Sequence, residues 1–281
     1  MKMMNEILSK MGITEEPLSV RAFAHEEGEG EYDVWRVQLS SRCLVLKRAK
    51  RCEASLYGNY LKNVSFAPKL VAQAHVDGDD YLLMEHIEGH DLMRCSRSDL
   101  TAVINSMAQM QRVYWDFPQA SDALESRRNR RAYLHSELLE RAYDAYLQNC
   151  EQIPHTLCHD DLLPFNVIVS DGRAVFIDWE VGGILPYPAS LARLLAHTSE
   201  EEAALFYMTE TDRQYAIDSY YTNFLSSRGV SYESYRRSLD LHLFYEYCEW
   251  VYVGNKFGDT TGDLFRKYRI LATNMAKKLG F

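Results

Sequence analysis

Polar and apolar residues roughly alternate from Asp33 through Val34, Trp35, Arg36, Val37 and Gln38 to Leu39. A period of two sorts side chains onto opposite faces of an extended chain, so the pattern predicts a half-buried β-strand. Ser40-Ser41-Arg42 supplies a turn before the apolar run Cys43-Leu44-Val45-Leu46, and the stretch from Val20 to Leu46 reads as an antiparallel hairpin sheet. Between Arg51 and Lys62 the spacing changes, with Cys52, Leu56, Tyr60 and Leu61 recurring at helical intervals. Pro68 and Lys69-Leu70-Val71-Ala72 open another extended stretch. The turn Asp77-Gly78-Asp79-Asp80 then introduces the strand Tyr81-Leu82-Leu83-Met84-Glu85-His86-Ile87.

Beyond Gly89 the texture is helical. Ser98 to Tyr114, opened by Ser98 as N-cap, and Arg127 to Gln148 both predict long helices. Thr156 to Glu180 returns to extended structure, and helical patterns rich in tyrosine run from Pro188 to the C-terminus. Strands with one helix, followed by mostly helices, predict an α+β chain with two lobes. Residues 1–88 would form a small antiparallel sheet lobe and residues 89–281 a larger, mainly helical one, meeting near Glu85 to Asp91.

Composition narrows the classes. A chain of 281 residues buries a substantial core without disulfides, and its six cysteines lack paired short spacings, as expected of reduced thiols in a cytoplasm. A formal net charge of −9 opposes attraction to nucleic acid and weakly favours a cationic ligand. Lys2, Glu6 and Lys10 interrupt the first twelve residues, so no signal peptide is expected there, and no segment is apolar enough to span a membrane.

The chemistry concentrates in His159-Asp160-Asp161-Leu162-Leu163-Pro164-Phe165-Asn166 and the segment leading to Asp178. Val167-Ile168-Val169 and Ala174-Val175-Phe176-Ile177 flank Ser170-Asp171-Gly172-Arg173, and Asp-Gly between two apolar runs predicts a β-hairpin. Asn166 would enter that hairpin and Asp178 leave it, so the two would lie side by side. An amide oxygen and a carboxylate so placed suit Mg²⁺, which takes few protein ligands and completes its shell with water and phosphate oxygens. Phosphoryl transfer asks the protein mainly for positioning, charge neutralisation and an aspartate that orients the accepting hydroxyl and takes its proton. Asp161, five residues before Asn166, has the spacing of a kinase catalytic loop, with His159 as support for that loop. His155 and His159 with Cys158 do not make a metal site, because Pro154 and Thr156 disfavour the helix that would align them.

His-x-Asp-x-x-x-x-Asn followed by Ile177-Asp178-Trp179-Glu180 resembles the aminoglycoside phosphotransferase and choline kinase superfamily, whose fold is protein-kinase-like. The resemblance extends from about Phe23 to Tyr252. Asp160 departs from the glycine or asparagine that the family usually has there. Asp178-Trp179-Glu180 stands where protein kinases carry Asp-Phe-Gly, and no Ala-Pro-Glu segment follows, which argues against protein substrates. The resemblance implies ATP and Mg²⁺ as cofactors, with GTP left open because nucleotide choice depends on hinge backbone.

That resemblance asks for a strand-end lysine on the α/β-phosphates and a helix glutamate that holds it; Lys47 and Glu53 occur in the right order. It also implies adenine contacts from the Glu85 carbonyl and the Ile87 amide, behind which Met84 would lie. Gly28 and Gly30 fall where a flexible loop would cover phosphates, although a plain hairpin turn fits them equally. In the superfamily the C-terminal helices line the acceptor site, so Glu246, Glu249 and Trp250 could receive a cationic amine. The competing reading is an amphipathic core helix whose acids face water. The function so implied is transfer of the γ-phosphoryl group to a hydroxyl of a small polar, amine-bearing molecule. An aminoglycoside-type antibiotic is the leading class, and choline, ethanolamine or a sugar the alternative. A non-catalytic nucleotide-binding pseudokinase is the reading from another class.

Overall fold

The computed structural model describes residues 2–24, 31–118 and 124–281; Gly28 and Gly30 lie outside them. Five antiparallel strands form the N-terminal sheet: β1 (Ser19–Ala24), β2 (Glu31–Gln38), β3 (Cys43–Arg48), β4 (Leu70–Val76) and β5 (Asp79–Glu85), in the spatial order β1-β2-β3-β5-β4. β4 and β5 are joined through Asp77 and Gly78 with φ of 53° and 91°, the left-handed pair that a two-residue hairpin turn requires.

Alternation along β5 decides which core each residue joins. Leu83 points to a cluster with Val37, Leu39, Leu44 and Leu46, covered by helix α1 (Lys2–Lys10) through Met4, Ile7 and Leu8. Leu82 and Met84 point the other way, into the main core with Leu56 and Tyr57 of α2 (Glu53–Asn59). The sheet is thus wedged between one helix that closes its outer face and another that ties it to the remainder of the chain.

Helices α3 (Arg97–Val113), α4 (Glu125–Arg130), α5 (Glu137–Gln152), α6 (Ala189–Ala196), α7 (Glu210–Asn223), α8 (Tyr232–Phe257) and α9 (Asp263–Lys278) build the larger part. The cap of α3 is Ser96 rather than Ser98: the Ser96 hydroxyl accepts from the Asp99 amide at 3.2 Å, and Ser98 lies inside the first turn. The expected single helix from Arg127 to Gln148 is broken. α4 passes through a 3₁₀ turn at Arg131–Tyr133, and His135 at φ 50° separates that turn from α5, which lets the α4 arginines face different partners from those of α5.

Three short pairings set the catalytic segment. β7 (His155–Cys158) pairs with β10 (Gly183–Pro186), and β8 (Val167–Ser170) lies between β6 (His90–Asp91) and β9 (Arg173–Phe176). Asp171 and Gly172, at φ 48° and 73°, make the expected Asp-Gly hairpin turn of β8 and β9. Gly89 lets β6 approach this hairpin, since a Cβ there would lie 2.3 Å from the Val169 carbonyl oxygen. Gly89→Ala must therefore displace backbone, and a loss of about 1–3 kcal/mol in urea denaturation is expected; Gly172→Ala, with open space around it but a positive φ, should lose less.

Candidate active site

The β8–β9 hairpin sets the site's geometry. Val167 pairs with Phe176, and the Ile177 amide donates to the Asn166 carbonyl at 2.9 Å, so Asn166 and Asp178 leave the hairpin as neighbours. Asp178 has φ 64°, a left-handed conformation that aspartate tolerates better than most residues. Trp179 is wholly buried, its indole N–H donating to the Phe176 carbonyl at 2.8 Å, and it anchors the two acids beside it.

Those acids meet Lys47. The Nζ of this buried lysine lies 2.8 Å from Glu53 Oε2, 2.5 Å from Asp178 Oδ1 and 3.6 Å from Glu180 Oε1. Burial alone would depress the lysine pKa, but Glu53 and Asp178 outweigh it and the net shift is upward. Burial pushes Glu53 upward, against the pull of Lys47. Glu53, Asp178 and Glu180 bring oxygens within 4.8 Å of one another around a single ammonium, leaving an excess of negative charge that a divalent cation would neutralise. An all-oxygen donor set of this kind fits a hard ion such as Mg²⁺.

The loop from His159 to Asn166 is held from within. His159 Nε2–H donates to the Ile177 carbonyl at 2.8 Å, and its Nδ1 accepts from the Asp161 amide at 3.3 Å. The ring is buried against Trp179 at 4.6 Å, and desolvation keeps it neutral by lowering its pKa. Asn166 Nδ2 donates to the Asp161 carbonyl at 2.8 Å. Ser190 Oγ on α6 accepts from the His159 amide at 2.9 Å.

Asp161 Oδ1 receives two bonds from Arg193, 2.6 Å from Nη2 and 3.0 Å from Nε. A cavity of about 340 Å³ opens above it, bounded by Asp161, Asp178 and Glu180 on one side and by Tyr245, Glu246 and Glu249 of α8 on another. Arg51, Arg130 and Arg193 stand among these acids. Neither Glu246 nor Glu249 simply faces water. Glu246 is buried and accepts from Arg193 Nη1 at 3.0 Å; burial works against its charge, yet the Arg193 guanidinium brings its pKa below the usual value. Glu249 is paired with Arg130 through Oε2, and burial raises its pKa despite that pairing. Its Oε1 is buried and has no hydrogen-bond partner among the described residues. Trp250, grouped with these acids on sequence grounds, instead stacks on Tyr268 of α9 at 5.8 Å and is not among the cavity's lining residues.

At the far end of the sheet, Glu85 closes β5 and its amide donates to the Lys69 carbonyl at 3.0 Å. Ile87 follows in the connection to the helical part, and its amide has no acceptor among the described residues.

Residues 27–220, more than half of the chain, match the profile of the phosphotransferase enzyme family. The chain belongs to this family. Protein LicA of Haemophilus influenzae is 24% identical over 173 residues, 59% of this chain and 47% of that protein. The match thus spans about half the length of this curated relative. Among solved structures, choline kinase LicA from Streptococcus pneumoniae superposes with a TM-score of 0.61 at 18% identity, over 99% of this chain and 100% of that one. Amicoumacin kinase hAmiN, solved with AMP-PNP, Ca²⁺ and Ami, gives a TM-score of 0.66 at 14% identity, over 99% and 92%. The fold is the α+β, protein-kinase-like one expected from the sequence.

For this family member, sequence reasoning selected residues that the fold does bring together: Lys47 with Glu53 and Asp178, and Asp161 with Asn166. It missed Arg193, Arg130 and Ser190, which carry no motif and reach the site from α6 and α4. It also left Asp160 unexplained. Asp160 accepts from Arg127 Nη2 at 2.6 Å, and that fully enclosed guanidinium lies 4.7 Å from the Tyr245 ring and donates to the Tyr146 hydroxyl at 2.7 Å. Among the described residues, Asp160 is the acid paired with it. Asp160→Asn should therefore cost about 3–5 kcal/mol in urea denaturation by stranding a buried cation, whereas adding Arg127→Met to it should recover much of the loss.

Proposed function

We propose that this chain is a small-molecule kinase that transfers the γ-phosphoryl group of ATP, with Mg²⁺, to a hydroxyl of a small amine-bearing alcohol. The observation that carries the reading is the convergence of Lys47, Glu53 and Asp178, the last of which lines one cavity together with Asp161. Residues 1–88 serve as the nucleotide-binding lobe, with the Glu85 carbonyl and Ile87 amide available to adenine, and residues 89–281 as the catalytic lobe. The six free thiols support a reducing compartment, the cytoplasm.

In the transfer, the acceptor oxygen forms a bond to the γ-phosphorus as the bond to the β,γ-bridging oxygen breaks, and ADP leaves. Asp161 orients the acceptor O–H and takes its proton. Lys47, held by Glu53, neutralises phosphate charge once Asp178 is released from it. Asn166 Oδ1 and Asp178, with Glu180 adjacent, are the residues that would hold Mg²⁺, which supplies charge neutralisation across the phosphates. His159 fixes the loop and stays out of the chemistry.

On the acceptor side, the unpartnered Glu249 Oε1 beside Tyr245 supports a ligand that offers an N–H or O–H donor. Aminoglycosides and ethanolamine supply both a hydroxyl and a cationic nitrogen, and choline a quaternary one. The LicA relatives favour including choline from the start.

Incubating the protein with Mg·ATP and a panel of aminoglycosides, choline, ethanolamine and sugars, read by mass spectrometry, should give a phosphate adduct on at least one amine-bearing member. Asp161→Asn and Asp178→Asn should each lower that transfer by about 10²–10⁴-fold with the melting temperature preserved. Near-normal turnover in either variant would sink the assignment.

A further inference from the structure

Helix α6 grips the catalytic loop at two points. Ser190 takes the His159 amide, and three residues later, on the same face, Arg193 takes the Asp161 side chain. We propose that Arg193 is a positioning residue that clamps Oδ1 of Asp161 so that Oδ2 is the oxygen presented to the acceptor, with Glu246 as the anchor of the clamp rather than an acceptor ligand. The inference rests on the kinase reading of Asp161.

The geometry supports a clamp rather than a chance ion pair. Arg193 Nη2 and Nε both reach Oδ1, at 2.6 and 3.0 Å, which fixes the rotation of the carboxylate as well as its position. Oδ2 has only a long contact, 3.4 Å, with Asn166 Nδ2. The guanidinium's remaining edge is fully occupied: Nη1 donates to Glu246 Oε2 at 3.0 Å and to His197 Nε2 at 3.1 Å. With Nε2 accepting, His197 Nδ1–H is left to donate to the Tyr268 hydroxyl at 2.6 Å. The chain of contacts therefore runs from Asp161 through Arg193 to α8 and α9, so the orientation of the reacting carboxylate is referred to the packed helical core.

Two consequences separate this from a merely structural pair. A planar fork with donors in fixed directions does what a lysine ammonium cannot, so charge alone should not suffice. Glu246, already satisfied by Arg193 and buried, is not free to receive an amine, which leaves Glu249, whose Oε1 is buried without a hydrogen-bond partner among the described residues.

The experiment uses labelled Mg·ATP with water as acceptor, measured in single turnovers by phosphate release, so that it does not depend on knowing the alcohol. Arg193→Lys should lower the rate by about 10–100-fold, while the Mg·ATP concentration giving half-maximal rate changes less than about threefold. In an Asp161→Asn background the same substitution should have almost no further effect, because the clamp then has no base to position. Glu246→Gln, which keeps an acceptor oxygen for Arg193, should lose less than Arg193→Lys. Melting temperatures identify misfolding, and the paired variant Arg193→Met with Glu246→Gln, which strands no buried charge, should show the same rate loss in a folded protein. Unchanged turnover in Arg193→Lys, or a full multiplicative loss on top of Asp161→Asn, would overturn the clamp while leaving Asp161 as base. Normal turnover in Asp161→Asn, or none in the unsubstituted chain, would instead remove the kinase reading and the clamp with it.

Discussion

A single buried ammonium holds the sheet to the catalytic segment. Lys47 on β3 cannot be desolvated without partners, and its partners come from α2 and from the end of the β8–β9 hairpin. A strand and the helix just after it are therefore obliged to meet, at one point, a segment more than a hundred residues further along the chain. The apolar packing supports this meeting: Leu82 and Met84 share a core with Leu56 and Tyr57, while Trp179 is buried between Asp178 and Glu180 and its amide reaches Glu53 Oε1 at 3.2 Å. Hydrophobic burial supplies most of the stability, but the ion pairs decide the register at which the parts join.

The same device recurs around the cavity. Arg127 is neutralised by Asp160, Arg130 by Glu249, and Arg193 by Asp161 together with Glu246. Pairs of this kind gain little net stability after desolvation, and their worth lies in direction: a guanidinium that donates to more than one fixed acceptor has few orientations open to it. Each pair joins an element of the helical part to the loop or helix that lines the cavity. The consequence is a site in which Asp160, Asp161, Glu246 and Glu249 each have an arginine partner.

How much of this the sequence discloses follows from the range of each interaction. The β8–β9 hairpin was legible because Asp171-Gly172 is a local turn signal between apolar runs, and the hairpin in turn dictates that Asn166 and Asp178 are neighbours. Lys47 and Glu53 could be chosen because strand followed by helix places them six residues apart. Arg127 and Asp160 lie thirty-three residues apart and Arg193 and Glu246 fifty-three, without any spacing rule to connect them. Helix α1 is a different case, since Met4, Ile7, Leu8 and Met11 fall at helical intervals and their burial on the sheet was there to be read. The break between α4 and α5 was hidden for a physical reason: the arginines there favour helix locally, and their partners, Asp160 and Glu249 for α4 and Asp144 for the turn after it, are distant in sequence or outside any turn signal.

The charge balance of the cavity constrains the order in which it can fill. Six carboxylates and three guanidiniums line it, and Arg130 and Arg193 are already committed to acids. A bare triphosphate approaching this surface meets net repulsion, so it gains entry with cations that offset both its own charge and that of Asp178 and Glu180. Under the proposed kinase reading, a cation arriving with the nucleotide would compete with Lys47 for Asp178 Oδ1, and the lysine would remain held by Glu53. On that reading Lys47 holds Asp178 in place until a cation takes its position beside the acid.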